Sequence, residues 1–272
     1  MLFPILDKPS IKEIRAAIEG NLIAKVKYYP SLLPEMTVLE ESDVDFINSN
    51  EKTSTFNIIC NARFLELRPQ KKVKDLSEYY RSRDLPVCWW IGPSTTPSSL
   101  GEVLLEEGWH YEATDLGLAA DIRKLSFESD ELADIEIKQV NDKQTMMDFT
   151  GVLASFFAAS EKEAILSFYR KVAQRGFIND DPLKNFVAYW KCKPVATSSY
   201  FLSHGVAGFY DCLTLAEMRR KGIGQAMMRK RFKQVLELGI PWVTLSSSHD
   251  SRGLYQRLGF QQYSEFSTFV KA

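Results

Sequence analysis

One short pattern of residue types occurs twice in the chain. "LPVCWWIGPSTTPSSLGEVLLEEGW" (residues 85–109) can be laid over "IPWVTLSSSHDSRGLYQRLGF" (residues 240–260). Each copy is an apolar-Pro pair, a continuous apolar run, a polar turn, a short helical pattern and a Gly-aromatic pair. A continuous apolar run bounded by turn residues is what a strand buried on both faces requires. The helix that follows must then lie on one face of the sheet containing that strand. The first copy is about four residues longer in its turn. Neighbouring elements fall in the same order around both copies, so the repeat predicts two related α/β units.

The length of 272 residues fits two domains. An apolar fraction of 45% and a charged fraction of 25% suffice for two cores. A net charge of -1 gives no global field toward nucleic acid or a membrane surface, so neither is expected as a partner. Cys60, Cys88, Cys192 and Cys212 are widely spaced, without Cys-x-x-Cys or a nearby histidine. Each stands in an apolar run and is read as a small buried hydrophobe, which implies a reducing compartment and no metal site. "MLFPILDKPSIKEI" lacks a basic n-region, and no run is long enough for a membrane span, so a cytoplasmic location is expected.

Periodicity predicts an amphipathic helix from about Ile11 that ends near Gly20. A strand in "TSTFNIICNARFLEL", a helix in "VKDLSEYYRSR" and the first copy of the repeat follow. The acidic segment 126–134 is the candidate linker between domains 1–125 and 135–272. After it come a strand ("IEIKQV"), two helices between Asn141 and Gly176, and about three strands with turns at "KCKP" and "SHG". A helix from the glycines to Gly239 leads into the second copy and one or two final strands.

"RRKGIGQAMMRKRF" (residues 219–232) sets Gly222 and Gly224 at a helix entrance behind Arg219, Arg220 and Lys221. A helix start leaves backbone N–H groups unpaired and carries partial positive charge, which makes an anion site. Glycine lets an anion come close to the backbone. The sequence has neither the Gly-Lys-Ser/Thr of a P-loop nor the third glycine of a dinucleotide fingerprint, since position 227 is Met. Arg229, Lys230, Arg231 and Lys233 read as a solvated basic face.

The order strand, Arg-x-x-Gly-x-Gly, helix, strand, then Tyr-x-x-x-Gly-Phe resembles the GCN5-related N-acetyltransferase (GNAT) superfamily over roughly residues 134–272. The wider pattern looks like tandem members with a degenerate N-terminal copy. The resemblance implies an α/β (α+β) fold of two acetyltransferase-like domains, each a mixed, mostly antiparallel sheet flanked by helices. It also implies acetyl-CoA as co-substrate, its pyrophosphate held by Arg219, Arg220, Lys221, Gly222, Ile223, Gly224 and Gln225. The family's preceding strand splays from its neighbour and pairs with the pantetheine arm; here that is Cys212, Leu213, Thr214 and Leu215. The first copy has no Arg-x-x-Gly-x-Gly, and Leu104 stands where Tyr255 would align. The N-terminal half is therefore expected to bind no acetyl-CoA productively.

Acetyl transfer to an amine is mostly positioning, with a base for the ammonium and an acid for the leaving sulfur. Tyr255 matches the family's tyrosine and is the candidate acid. Asp211 is the candidate base, with a ladder-end cap as the equal alternative. Strand alternation would put Asp211 and Leu213 on one face and Tyr210 and Cys212 on the other. Ser248 stands where the family often has Asn, and the resemblance counts it among the residues that line acetyl-CoA, with a turn as the alternative for Ser246 to Ser248. The implied reaction is N-acetylation of an unidentified small-molecule or protein amine, in a ternary complex, by a monomer or homodimer. The alternative is an acyl-CoA-binding sensor or interaction protein without turnover.

Overall fold

The computed structural model describes residues 4–66, 68–125, 132, 134–178 and 180–272. Most of the expected linker, at 126–131 and 133, lies outside the described residues. Helix α1 spans Ile11–Leu32, followed by strands β1 (Thr37–Glu40), β2 (Asp45–Asn48) and β3 (Ile58–Cys60). Then come α2 (Gln70–Arg81), β4 (Val87–Ile91), α3 (Leu100–Glu106) and β5 (His110–Asp121). The second half holds β6 (Ile135–Gln139), α4 (Lys143–Ala154), α5 (Lys162–Arg175), β7 (Leu183–Trp190), β8 (Lys193–Ser203) and β9 (Val206–Thr214). It ends with α6 (Ile223–Glu237), β10 (Trp242–Ser248), α7 (Arg252–Arg257) and β11 (Gln261–Lys271).

Helix α1 opens with a capping box: Ser10 Oγ accepts from Glu13 N at 3.3 Å, and Glu13 Oε2 accepts from Ser10 N at 2.7 Å. It runs through Gly20, where the sequence pattern had suggested a C-cap. A Cβ at Gly20 would stand 2.4 Å from the His204 ring, so that glycine serves close packing and not a helix stop. Ile14, Ile18 and Leu22, four residues apart, bury against Ala119 and Phe266, each contributing about 1.5–3 kcal/mol. Asn21 fastens the helix to the sheet: its Nδ2 donates to Phe201 O and Ser203 O, both at 3.1 Å.

Among the described residues the strands form one eleven-stranded sheet in the order β1-β2-β3-β4-β11-β5-β10-β9-β8-β7-β6. Pairing is antiparallel except for β3 with β4 and β9 with β10. The last strand of each half is exchanged: β11 pairs with β4, while β5 pairs with β10. β5 and β11 then pair with each other at the centre. The two halves of the sequence therefore share one sheet, joined through the β4–β11, β11–β5 and β5–β10 pairings. Separate cores lie on the sheet, one around Trp89, Trp109 and Tyr80 and others around Phe186, Phe209 and Phe232 and around Phe149, Phe168 and Tyr169. Among the described residues no helix is long and apolar enough to cross a membrane.

Candidate functional site

Strands β9 and β10 run parallel and in register at Ala207/Val243, Gly208/Thr244 and Phe209/Leu245, and then part. Ser246, Ser247 and Ser248 stay with β5, opposite Gly117, Leu116 and Asp115. Tyr210, Leu213 and Thr214 stay with β8. The β10-facing edge of β9 is thus unpaired from residue 210 onward. A bulge sits at the parting: Asp211 and Cys212 together oppose Ser198, and Asp211 takes φ +54°. Thr197 Oγ1 donates to Asp211 O at 2.8 Å, and Ser199 Oγ donates to its carboxylate.

The bulge overturns the alternation expected from the sequence. Tyr210 and Leu213 both pack on the α4–α5 cluster, and the Tyr210 hydroxyl donates to Asn21 Oδ1 on α1 at 2.7 Å. Asp211 meets Lys25 of α1 on that same side, with Nζ 3.7 Å from Oδ1. Cys212 turns alone toward α6, because the extra residue of a bulge flips the alternation. Cys212 is exposed, as is Cys192, whereas Cys60 and Cys88 are buried; burial of all four was expected. Cys192 lies at the β7–β8 turn with φ +64°, a position where no core could reach it.

After β9 the chain makes a 3₁₀ turn at Ala216–Met218 and reaches α6 through Gly222, at φ +79°. Arg219 Nε donates to Thr214 O at 3.1 Å, and its guanidinium lies 5.8 Å from the Phe156 ring. Arg220 is exposed at φ +60°, and Lys221 Nζ stands 5.7 Å from the Trp190 ring. No side chain caps α6, and its first intrahelical bond runs from Ala226 N to Gly222 O at 3.0 Å. No acceptor among the described residues takes the amides of Ile223, Gly224 or Gln225. A Cβ at Gly224 would meet only Thr214 Oγ1, at 3.9 Å, so the chain's own packing does not demand glycine there. A Cβ at Gly222 would lie 3.5 Å from Leu132, and its left-handed backbone favours glycine. Three unpaired amides, a helix dipole and three nearby cations make this loop able to hold an anion against the backbone.

Tyr255 is half-buried on α7, its ring 5.8 Å from that of Phe260 in an edge contact. Burial pushes its phenol well above the usual range; Cys212 adds to the shift and Arg231 opposes it. Cys212 and Arg231 are in direct contact, and Tyr255 packs on the same α6-side cluster as Phe209 and Phe232. Arg231 was expected on a solvated face and is instead 1% exposed. It donates to Ser199 O at 2.9 Å and to Cys212 Sγ at 3.1 Å, and lies 4.2 Å from the Phe209 ring centre. It has no carboxylate partner among the described residues. The spacing Ile223, Met227, Arg231, Val235 puts Arg231 on the buried stripe of α6, which the sequence pattern does contain. Ser248 is exposed at the end of β10, its Oγ 3.4 Å from Ser251 Oγ. Among the described residues no three His, Cys, Asp or Glu side chains are grouped as metal ligands.

A small, partly open cavity of about 160 Å³ adjoins the bulge from the α1 side. Lys25 and Asp211 supply its charges; Phe56, Trp90, Phe168 and Tyr169 are among its walls. A larger, open groove lies on the outer face of α1, near Gly20 and His204, away from the glycine loop.

Residues 152–260 match the Acetyltransferase (GNAT) family. No curated protein is similar enough in sequence to match. Among solved structures, a GCN5-related N-acetyltransferase from Kribbella flavida superposes with a TM-score of 0.67 at 15% identity, covering 92% of this chain and 95% of that one. A tandem GNAT protein from the clavulanic acid biosynthesis pathway gives 0.60 at 11% identity, covering 99% and 90%. A GCN5-related N-acetyltransferase from Sphaerobacter thermophilus gives 0.58 at 13% identity, covering 97% and 93%. The expectation of two acetyltransferase-like units with flanked, mostly antiparallel pairing is met, and the exchange of β5 and β11 is what the sequence had not foretold. Residues 152–260 are thus similar to the acetyltransferase (GNAT) family, and the fold of the chain is like that of a tandem GNAT protein.

Proposed function

We propose that this protein is an acyl-CoA-dependent N-acyltransferase that uses acetyl-CoA as donor and a primary amine as acceptor. The observation that carries the reading is the parting of β9 from β10 directly ahead of the unpaired amides of Ile223, Gly224 and Gln225. Those amides, with Arg219, Arg220 and Lys221, suit a pyrophosphate. The unpaired edge at Cys212, Leu213, Thr214 and Leu215 suits an extended amide-containing arm lying beside it like an added strand. The donor supplies a thioester acyl group when bound.

The chain's own residues then divide the work. Asp211 takes the proton of the incoming ammonium at its carboxylate, which Ser199 orients. Tyr255, a neutral phenol through the physiological range, gives its proton to the departing sulfur and takes back the second proton of the attacking nitrogen, so CoA leaves as the thiol. Arg231 fixes the bulge by tying Ser199 O to Cys212 Sγ. The N-terminal half binds no donor and instead walls the acceptor side.

Thermal unfolding with acetyl-CoA, CoA and a longer acyl-CoA tests this reading. A ligand at about a hundred times its dissociation constant adds about 2.7 kcal/mol, so all three should raise the midpoint. No shift with any of them would remove the donor assignment. Binding without turnover on any amine would favour a sensor over an enzyme.

A further inference from the structure

The cavity beside Asp211 has a chemistry of its own. Its volume of about 160 Å³ is close to that of an apolar protein cavity known to bind benzene, roughly 150 Å³. The walls come from both halves of the chain: Val26, Phe56 and Trp90 from the first, and Leu153, Phe168 and Tyr169 from the second. Phe56 and Phe168 stack across this boundary with ring centres 3.8 Å apart. The segment carrying Phe56 is held rigidly. Asn57 Nδ2 donates to Glu51 O, Thr53 O and Pro86 O, while Thr53 Oγ1 donates to Glu161 and Glu51 pairs with Lys171 at 2.7 Å. The cavity is therefore preformed.

Its charge inventory is one cation and one anion, Lys25 and Asp211, at 15–20% side-chain exposure. A polyamine or amino sugar would meet a cation and bring more charges than the walls can pair. A peptide segment would not fit the volume. A zwitterion would satisfy both groups, its ammonium on Asp211 and its carboxylate on Lys25. Their 3.7 Å separation is long for an ion pair, so a ligand could part them at modest cost. Asp211 also belongs to the unpaired stretch of β9, which sets the ammonium next to the proposed donor arm.

We propose that the acceptor is a free α-amino acid with an apolar side chain of about benzene size, selected by Lys25, Asp211 and the aromatic walls. This rests on the donor reading above only for the turnover step; binding in the cavity does not depend on it.

The test is calorimetric titration of L-phenylalanine, phenethylamine, 3-phenylpropionate and glycine, with and without saturating CoA. L-phenylalanine should bind at least about tenfold more tightly than either one-charge analogue, the worth of one charge-assisted contact. Lys25→Met should erase its advantage over phenethylamine and leave CoA affinity within about twofold. Val26→Phe, which fills the cavity, should weaken L-phenylalanine more than about tenfold while sparing CoA. CoA binding intact with no probe bound, or an undiminished preference in Lys25→Met, overturns the acceptor assignment. Lys25-dependent phenylalanine binding without any CoA binding would support the cavity and sink the donor reading instead.

Discussion

The two parallel strand pairs of the sheet end differently. Past β9 and β10 the chains part, and no hydrogen bond among the described residues re-joins them. Past β3 and β4 the chains come together again: Thr96 N donates to Ala62 O at 3.0 Å, and Phe64 N donates to Thr96 O at 2.9 Å. Arg63 adds a hydrogen bond from Nη1 to Ser94 O at 2.7 Å. The helix after each parting also differs. α6 enters through Gly222 with its first amides unpaired, whereas α2 enters through Pro69 without a glycine. One topology, used twice, thus gives one open cleft and one that its own backbone closes. A donor arm that pairs with backbone needs the first and cannot use the second, which supports a single donor site per chain.

The largest effect expected is on Arg231, buried on α6, whereas the buried residues of α2 are Val73, Leu76 and Tyr80. Arg231→Ala removes a buried side chain that bonds Ser199 O and Cys212 Sγ. It should cost about 3 kcal/mol in urea unfolding, as buried large-to-small changes do. Next is Gly224→Glu. A negative side chain where only Thr214 stands nearby should weaken CoA at least about a hundredfold, or about 2.7 kcal/mol, with little change in the unfolding midpoint. Gly224 is a better probe than Gly222, whose left-handed backbone would confuse binding with strain.

Tyr255→Phe should lower kcat about tenfold to a hundredfold and leave the CoA dissociation constant unchanged. The pH dependence follows from the raised phenol. The folded-state value lies above the unfolded one, so the proton is held fully below about pH 10 and is lost only as pH rises beyond it. Activity should show no alkaline decline from Tyr255 between pH 7 and about 9.5, as a pH–rate profile would reveal. The smallest effect belongs to the closed cleft. Lys71→Glu, in the first turn of α2, should shift CoA affinity by less than about twofold. A larger loss there would mean that the N-terminal half also holds donor.

Much of this was legible in the sequence, and the reasons for the rest are physical. The second half was read almost element by element, because its strands are long and its turns carry Gly, Pro and Lys-Cys-Lys-Pro. Strands β1 and β2 were missed, being four residues each without strong turn signals. The helix stop at Gly20 was misread because packing against His204, which no local pattern reveals, also calls for glycine. The exchange of β5 and β11 could not be seen, since register between distant strands is not written locally. In the site, the glycine loop stood out as Gly-x-Gly behind three cations, whereas Tyr255 was suggested only by the family resemblance. The cavity beside Asp211 did not, because Lys25, Phe56 and Phe168 meet only in three dimensions. Arg231 stood on an apolar stripe, and its charge hid that.

The central claim is one donor site, made by the open cleft and the Gly222–Gln225 amides. Titration calorimetry of CoA into the wild-type chain and into Gly224→Glu tests it most directly. The account predicts one CoA per chain in the first and none in the second. Two per chain, or undiminished binding in Gly224→Glu, would contradict it.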